Sequence, residues 1–245
     1  MPTDDSLQQA QLLLDAARRQ LQLLTDTITH DMRAPLRTID GFVARVADTA
    51  HDRLDERERG QLQRVREAAA RMSSLLEGLA EFSRATNAPL QPVDVDISLV
   101  AEWALADLQA AEPQRHVQIQ VQPGLSARGD ERLLRLLLAQ LLGNAWKFSA
   151  ASAPARIEVS GDRDGERCRF SIRDNGIGFD VRYAHKLYEP LQRLHGVEEG
   201  AGHGLGLAIA QRIASRHGGI ITAVSQSGDG ATFTVELPDS RGASA

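Results

Sequence analysis

The sequence predicts a multi-domain α and α+β protein: an N-terminal helical hairpin followed by a two-layer α/β sandwich. Two observations lead to this prediction. In the N-terminal third, apolar residues recur every three or four positions, which is the spacing of one helix face. Further along, helical stretches alternate with short stretches of strand periodicity, as in a layered α/β domain. The 245 residues are enough for two domains with cores of their own.

A first long helix is predicted from one apolar stripe. Its members are Leu21, Leu24, Ile28, Met32, Pro35, Ile39, Phe42 and Val46. Leu7 and Leu14 extend the spacing upstream in heptads, so residues 1–19 are expected to form a helical or coiled-coil extension. Since a helix turns by about 100° per residue, His30 faces away from this stripe and towards solvent, directly before Asp31. An exposed imidazole beside a carboxylate can act as a nucleophile, although most surface histidines have no function.

A second helix follows a charged break at residues 51–59. Its apolar seam alternates spacings of three and four, at Leu62, Val65, Ala69, Met72, Leu76 and Leu79. Two such helices, within residues 20–86, cover only part of each other's apolar surface. We therefore expect two copies of the hairpin to form a dimeric four-helix bundle, the alternative being a single hairpin packed on the second domain. Two prolines mark residues 87–93 as a linker, because proline stops a helix.

Residues 94–240 mix both periodicities and are predicted to form the α/β sandwich, before a short tail at 241–245. Helices are expected at 97–111, 130–148 and 204–217, and strands at 116–122, 156–160, 167–173, 219–225 and 231–237. Asp164 and Gly165 lie between two of these strands and predict a hairpin turn. The segment 179–202 lacks periodicity, and a loop of that length in a compact domain is usually functional.

Composition excludes several other classes of protein. A net charge of -5 and a pI of about 5.8, without a basic stripe, are not those of a nucleic-acid-binding protein. The longest apolar run, 133–142, contains Arg135 and Gln140 and is too short to span a membrane. Cys168 is the only cysteine, which rules out an intrachain disulfide, and the N-terminus lacks the pattern of a secretory signal. We therefore expect a cytoplasmic protein with no membrane segment in this chain.

Three segments of the second domain carry residue types suited to a nucleotide. Asp174 ends a predicted strand before Asn-Gly-Ile-Gly, and its carboxylate can accept a hydrogen bond from an amine such as that of adenine, although Asp-Asn-Gly is also common in ordinary turns. Residues 202–207 (Gly-His-Gly-Leu-Gly-Leu) open a helix, where backbone N–H groups can hold phosphate. Asn144 and Lys147 share a helix face and suit Mg²⁺ and phosphate, the alternative being a helix end with an ordinary lysine.

Together with the first helix, these segments resemble, in order, the H, N, G1 and G2 boxes of sensor histidine kinases. The matching residues are 30–36 (His-Asp-Met-Arg-Ala-Pro-Leu), 144–148 (Asn-Ala-Trp-Lys-Phe), 174–178 and 202–207. The segment 186–195 is similar to the family's F box, and 228–233 (Gly-Asp-Gly-Ala-Thr-Phe) to its final glycine turn. The phytochrome-type branch is the most similar. The resemblance covers roughly residues 20 to 238.

The resemblance implies an ATP-dependent protein-histidine kinase of a two-component system. Its parts would be a dimerisation and phosphotransfer hairpin (20–86) and a catalytic ATP-binding domain of the GHKL ATPase type (94–240). His30 would be phosphorylated from Mg-ATP, with Asp31 orienting and deprotonating it, and the phosphoryl group would pass to an aspartate of a response-regulator receiver domain. The partners implied are a second copy of the chain, that receiver and an upstream sensor domain in cis or in trans, since the residues before 20 leave no room for one.

The resemblance also assigns the nucleotide site. Asn144 would coordinate Mg²⁺, Lys147 would contact the phosphates of ATP, and Phe148 would pack beside the base. Asp174 would accept a hydrogen bond from the adenine amine. The other nucleotide-binding positions would be Gly176, Gly178, Gly202, His203, Gly204, Leu205 and Gly206.

Five positions differ from the family pattern. Gln140 stands where asparagine is usual, Tyr188 and Leu191 replace the phenylalanines of the F box, and His203 replaces a small hydroxyl residue. Ala34 lacks the polar side chain that many phosphatase-competent members have four residues after the histidine, so a phosphatase activity is not predicted. A non-catalytic dimeric scaffold is one alternative to the kinase. A serine kinase or ATPase of the GHKL type is another, against which the histidine-bearing helix argues.

Overall fold

The structure, a computed structural model, describes residues 4–50, 52–192, 204–226 and 228–239. It divides the chain into two compact units, Met1–Asn87 and Ala88–Ala245. The first unit is helical and the second contains every strand of the described residues. The predicted order of a helical hairpin and an α/β domain is confirmed.

The first unit is an antiparallel pair of helices, α1 (Asp4–Thr49) and α2 (Glu56–Asn87). α1 continues through Pro35. α2 begins with a reciprocal cap, in which the Glu58 N–H donates to the Asp55 carboxylate at 2.7 Å and the Asp55 N–H donates to the Glu58 carboxylate at 2.9 Å. Such a capping box pairs N–H groups that a helix start otherwise leaves without partners, so it fixes the end of the connecting turn.

The face through which the two helices pack differs from the apolar stripe that the sequence indicates. Thr29 and Leu36 of α1 are buried, as are Ala69 and Ala80 of α2, and of these only Ala69 belongs to a predicted seam. The described α1 stripe residues that stay between 42% and 58% exposed are Leu24, Ile28, Met32, Ile39, Phe42 and Val46. The stripe lies roughly a quarter turn around α1 from Leu36, and one partner helix covers only one such face. The stripe is therefore left largely uncovered within a single chain, in line with the expectation that two helices cover only part of each other's apolar surface.

The second unit is a five-stranded sheet with helices and a separate two-stranded ribbon. Its elements are β1 (Pro92–Asp96), α3 (Ile97–Ala111), β2 (Val117–Val121), β3 (Ser126–Asp130), α4 (Glu131–Phe148), β4 (Ala155–Arg163), β5 (Arg167–Asp174), a 3-10 helix (Val181–Lys186), α5 (Gly206–Arg216), β6 (Ile220–Ser225) and β7 (Ala231–Pro238). The sheet order is β2-β4-β5-β7-β6, with β2 parallel to β4 and the other pairs antiparallel. β1 pairs antiparallel with β3. These two short strands were not predicted, and β1 begins inside the segment expected to be a linker.

The core of the sandwich lies between the helices and the central strands. The leucines at every third or fourth position of α4 are fully buried, and so are Ile157 of β4, Phe170 of β5 and Ile209 of α5. None of the helices in the described ranges combines the length and apolarity needed to cross a membrane.

The start of α4 is fixed by hydrogen bonds from three directions. The buried Asp130 carboxylate accepts from the Leu133 and Gln91 N–H groups and from Arg132. Burial alone raises the pKa of this carboxyl, but these donors together hold it below the ordinary value. The Asp130 N–H donates to His217 Nε2 at 2.9 Å, while His217 Nδ1 donates to the Ile213 carbonyl at 2.8 Å. His217 thereby ties the end of α5 to the start of α4.

Candidate functional site

His30 lies on the outer surface of α1, next to the buried Thr29. Its side chain is 85% exposed and that of Asp31 is 62% exposed. His30 Nδ1 is 3.2 Å from Asp31 Oδ1. An ionised carboxylate can only accept a hydrogen bond, so Nδ1 carries the proton and the lone pair of the neutral ring lies on Nε2. His30 is therefore exposed and paired with Asp31, as the sequence predicts, and its role as a nucleophile stays a prediction.

Asp174 is a buried carboxyl at the end of β5, a central strand of the sheet. It is only 5% exposed. Burial raises the pKa of Asp174, and hydrogen bonds from the N–H groups of Gly176 and Ala231 oppose this only in part. The Gly176 N–H donates to Asp174 Oδ1 at 2.8 Å. The donors around Asp130 outweigh the cost of its burial, whereas the pKa of Asp174 stays raised, and this makes Asp174 a candidate for binding a ligand.

Around Asp174, glycines occupy positions where the neighbouring backbone leaves no room for a side chain. A Cβ on Gly176 would lie 2.4 Å from the Phe148 carbonyl oxygen. A Cβ on Gly178, whose φ is +63°, would lie 2.2 Å from the Gln226 carbonyl oxygen. Gly230 (φ +87°) passes so close to the Asp174 carbonyl that a Cβ there would be 2.0 Å away. The backbone itself therefore forms the wall of this site.

The last turn of α4 brings the predicted nucleotide contacts to the same loop. Asn144, Lys147 and Phe148 are each half-buried. Lys147 Nζ lies 4.5 Å from the centre of the Phe148 ring. The Phe148 carbonyl accepts from the Ile177 N–H at 3.2 Å. α4 and the Asp174 loop are thus joined directly, as a common nucleotide site requires.

The predicted G2 box is described from Gly204 onward. Gly204 has a φ of +72°, and its carbonyl accepts from the Leu191 N–H at 2.9 Å. Leu191 itself has a φ of +66°, which is strained for a residue with a side chain. Leu205 is buried, and Gly206 opens α5 close to Gln140, whose Oε1 would lie 2.7 Å from a Cβ at that glycine.

Some predicted positions lie outside the described residues. These are Gly202, His203 and the end of the proposed F box, 193–195. Within that box, Tyr188 is half-buried and burial raises the pKa of its hydroxyl to about 12. Its hydroxyl has no hydrogen-bond partner among the parts of the chain that the structure describes.

Comparison with known families assigns both units. The His Kinase A (phospho-acceptor) domain model matches residues 20–88, and the model of the histidine kinase-, DNA gyrase B- and HSP90-like ATPases matches residues 129–241. The first match contains the exposed His30, and the second contains the Asp174 loop and the ends of α4 and α5. The chain belongs to the sensor histidine kinases.

Relatives agree with this assignment of a histidine kinase core. The chain is 27% identical to phytochrome-like protein Cph1 of Synechocystis sp. over 92% of its length, and 31% identical to sensor histidine kinase AruS of Pseudomonas aeruginosa over 95%. It spans only 30% and 24% of those two proteins. Full-length ShkA, crystallised in complex with AMPPNP, superposes with a TM-score of 0.64 at 27% identity over 88% of this chain and 45% of ShkA. The resemblance to the phytochrome-type branch is confirmed.

The structure adds contacts that sequence reasoning missed. Gly230 lies in the final glycine turn, and its approach to Asp174 was not predicted. The Ser225 hydroxyl accepts from the Phe179 N–H at 2.8 Å and donates to the Gly230 carbonyl at 2.6 Å, so it holds the two loops together. The Asn175 side chain bonds the Arg156 N–H and the Pro154 carbonyl. The glycine turn was a signal for Gly230, but nothing local marks Ser225.

Proposed function

We propose that this chain is the core of an ATP-dependent protein-histidine kinase, which phosphorylates His30 and passes the phosphoryl group to an aspartate of a response regulator. The observation that carries the proposal is the pairing of His30 Nδ1 with Asp31 at 3.2 Å on an exposed helix face. In the proposed division, residues 20–86 hold the phosphate acceptor and residues 94–240 bind ATP, with 87–93 as linker and 1–19 as an N-terminal helical extension. No phosphatase activity is proposed, because Ala34 offers no polar side chain one turn after His30.

The first chemical step follows from the tautomer of His30. Nε2 attacks the γ-phosphorus of ATP, the N–P bond forms, and the bond from that phosphorus to the β,γ-bridging oxygen breaks to release ADP. The ring becomes positively charged as the bond forms, and the Nδ1 proton passes to the Asp31 carboxylate. Asp31 therefore both orients the ring and offsets its developing charge. A carboxylate oxygen of the response-regulator aspartate then attacks the phosphorus, the N–P bond breaks with its electron pair left on Nε2, and the proton returns from Asp31 to Nδ1, which restores the neutral ring.

The residues of the second unit suit the adenine nucleotide. Asp174 offers a buried acceptor for the amine of the base, and the crowded backbone at Gly176 and Gly178 leaves room for a ligand rather than for side chains. Lys147 supplies a cation for the phosphates. Asn144 would hold Mg²⁺ through its amide oxygen. Bound Mg²⁺ would offset the negative charge of the phosphates, and a neutral amide suits an ion whose other ligands are phosphate oxygens.

A homodimer is part of the proposal. The exposed stripe on α1 continues on α2 at Val65, Met72 and Leu79, which are between 37% and 50% exposed. Apolar residues repeated along two neighbouring helices at this density favour burial against another helical pair. A second copy of the hairpin would supply that pair and complete a four-helix bundle.

The remaining partners follow from the reaction. The receiver aspartate requires access to His30, which its exposure on α1 provides. An upstream sensor domain, in cis or in trans, would act through α1, which begins at Asp4 and runs without a break to the phosphorylation site. We propose a cytoplasmic location because the reaction consumes ATP.

The test is incorporation of phosphate from γ-³²P-labelled Mg-ATP. We expect an acid-labile, base-stable label that is lost in His30→Ala and in Asp174→Asn. His30→Ala should still bind a fluorescent ADP analogue, which separates loss of the acceptor from loss of the nucleotide site. Label that persists in His30→Ala would refute the assignment of the acceptor.

The other outcomes distinguish the alternative functions. An acid-stable phosphoserine product would indicate a serine kinase of the GHKL type. A folded dimer that binds no nucleotide would indicate a non-catalytic scaffold, for which the substitutions at Gln140, Tyr188 and Leu191 would then be the cause.

A further inference from the structure

A turn between α3 and β2 places two charged side chains against the C-terminal end of α4. α3 ends at Ala111, and the residues Glu-Pro-Gln-Arg that follow form a reverse turn in which the Arg115 N–H donates to the Glu112 carbonyl at 3.0 Å. Proline at the second position favours this turn because its φ already has the required value. The turn brings the Arg115 guanidinium within 3.5 Å of the Glu112 carboxylate.

Both side chains bind Trp146, which is only 2% exposed. The Arg115 guanidinium stacks 4.6 Å from the centre of the indole ring, and the indole N–H donates to the Glu112 carboxylate at 3.2 Å. Arg115 also donates to the Trp146 carbonyl and, at 3.1 Å, to the Ser149 hydroxyl. A helix ends in carbonyls without partners in the helix, and a cation beside them is stabilising. Glu112 and Arg115 therefore clamp the end of α4.

The clamped turn is the one that carries the nucleotide contacts. Lys147 and Phe148 lie between Trp146 and Ser149 in the chain. The Phe148 carbonyl continues the connection to the Asp174 loop by accepting from the Ile177 N–H. A displacement of this last turn would move the lysine, the phenylalanine and the glycine loop together.

We propose that Arg115, held in place by Glu112, is a positioning residue for the nucleotide site. It sets the last turn of α4 and, through the Phe148 carbonyl, the loop 174–178. The role rests on the proposed ATP binding of this unit. It acts on the affinity for nucleotide rather than on the phosphoryl transfer itself, since His30 belongs to the other unit.

A matched control lies elsewhere on the same helix. Arg135 stacks 4.5 Å from the centre of the Trp103 ring and pairs with Glu131 at 3.3 Å. It therefore has the same kinds of contact as Arg115, with an indole and a glutamate. Arg135 lies more than two helical turns before Lys147 in α4, away from the clamped end. Arg135→Ala should leave nucleotide affinity unchanged.

The experiment measures the Kd of a fluorescent ADP analogue with Mg²⁺ for the full chain. We expect Arg115→Ala to raise the Kd about tenfold, equivalent to about 1.4 kcal/mol. Arg115→Lys should recover part of the loss, because lysine keeps the charge but not the planar, two-pronged contact. Glu112→Gln should raise the Kd about threefold. In autophosphorylation, the KM for ATP should rise in Arg115→Ala while kcat stays within about twofold of the native value.

Amide hydrogen exchange without nucleotide provides a second readout. Arg115→Ala should speed exchange in peptides covering 145–150 and 174–178, whereas Arg135→Ala should not. If the native chain binds no nucleotide, the proposed function fails and the exchange data alone decide whether Arg115 positions the turn. Unchanged exchange together with an unchanged Kd in Arg115→Ala would overturn the inference. Arg115→Lys and Glu112→Gln carry the same tests if Arg115→Ala does not fold.

Discussion

Replacing Gly176 with alanine is expected to destabilise the second unit and remove nucleotide binding. The new Cβ would lie 2.4 Å from the Phe148 carbonyl oxygen, 2.6 Å from the carbonyl carbon and 2.8 Å from Asp174 Oδ1. The first two atoms belong to the backbone at the end of α4 and cannot rotate away. The loop must therefore move back by about 1 Å to reach ordinary van der Waals contact.

The size of the effect follows from the contacts that this movement breaks. The Ile177 N–H bond to the Phe148 carbonyl (3.2 Å) spans the gap that must widen. The Gly176 N–H bond (2.8 Å) ends on Asp174 Oδ1, which the new Cβ also crowds. Each contributes about 1 kcal/mol, and forcing a methyl group into a packed site adds about 1–3 kcal/mol. We expect a loss of about 3–5 kcal/mol in the free energy of unfolding, or roughly 6–20 °C in Tm for a domain of this size.

The assay is urea unfolding of the full chain followed by tryptophan fluorescence, together with binding of the ADP analogue. Gly143→Ala is the matched control, since it lies in α4 with open space around its Cβ position. Alanine there should stabilise the domain by about 0.5–1 kcal/mol through helix propensity. The free energy of unfolding should therefore fall in Gly176→Ala and rise in Gly143→Ala. Equal unfolding midpoints for Gly176→Ala and the native chain would refute the reasoning from backbone crowding.

Two further predictions concern the buried carboxyl and the apolar stripe. Burial raises the pKa of Asp174, so the penalty for ionising its carboxyl in the folded state is absent below the ordinary pKa of about 4 and grows as the pH rises through the folded value. Asp174→Asn should therefore gain stability over the native chain towards neutral pH, while losing nucleotide binding. Urea unfolding at several pH values measures the difference in free energy, and a gain independent of pH would contradict the prediction. Phe42 is 58% exposed, and Phe42→Glu should place a charge in the proposed dimer interface at a cost of several kcal/mol and give monomers by light scattering. Arg33→Glu, at an exposed position nine residues before Phe42 and therefore on the opposite side of α1, should stay dimeric, and a dimeric Phe42→Glu would contradict the proposed interface.

The elements of the second unit were largely predictable because their signals are local. The predicted helix at 97–111 coincides with α3, and the predicted helix at 130–148 differs from α4 only by the capping Asp130. Apolar periodicity and a capping aspartate at each start specify these helices without reference to distant residues. β1 and β3 were missed because their pairing joins residues between 30 and 38 positions apart, which no local pattern indicates.

The hairpin shows where periodicity alone is insufficient. The pattern in α1 correctly predicts a helix and an outward His30, but it does not tell which of two adjacent faces meets α2. The buried face contains Thr29 and Leu36, a less apolar set than the exposed stripe. A helix with two partners needs two contact faces, and the more apolar one need not be the one used within the chain.

In the proposed nucleotide site, too, some residues could be predicted from the local sequence and others could not. Asp174, Asn144 and Lys147 could be placed from motifs, because each lies in a short segment whose residue types suit one chemistry. Arg115 and Ser225 could not, since Arg115 bonds Ser149 and Ser225 bonds Phe179, each far away in the sequence, through contacts that exist only after folding. Ordinary local rules give no reason to single out either residue.

Three features of the chain depart from the rules of a well-packed domain, and we assign a function to two of them. The ionisable Asp174 is buried on a central strand, Leu191 has a positive φ, and an apolar stripe surrounds Phe42 on the surface of α1. Each feature lowers the stability of the isolated chain, and two of the three would be compensated by a proposed partner: the base of a nucleotide for Asp174 and a second hairpin for the stripe. For Leu191 the structure indicates no such partner among the described residues. Functional assignment is therefore strongest where a local penalty and a specific compensating ligand occur together, which places Asp174 ahead of every glycine around it.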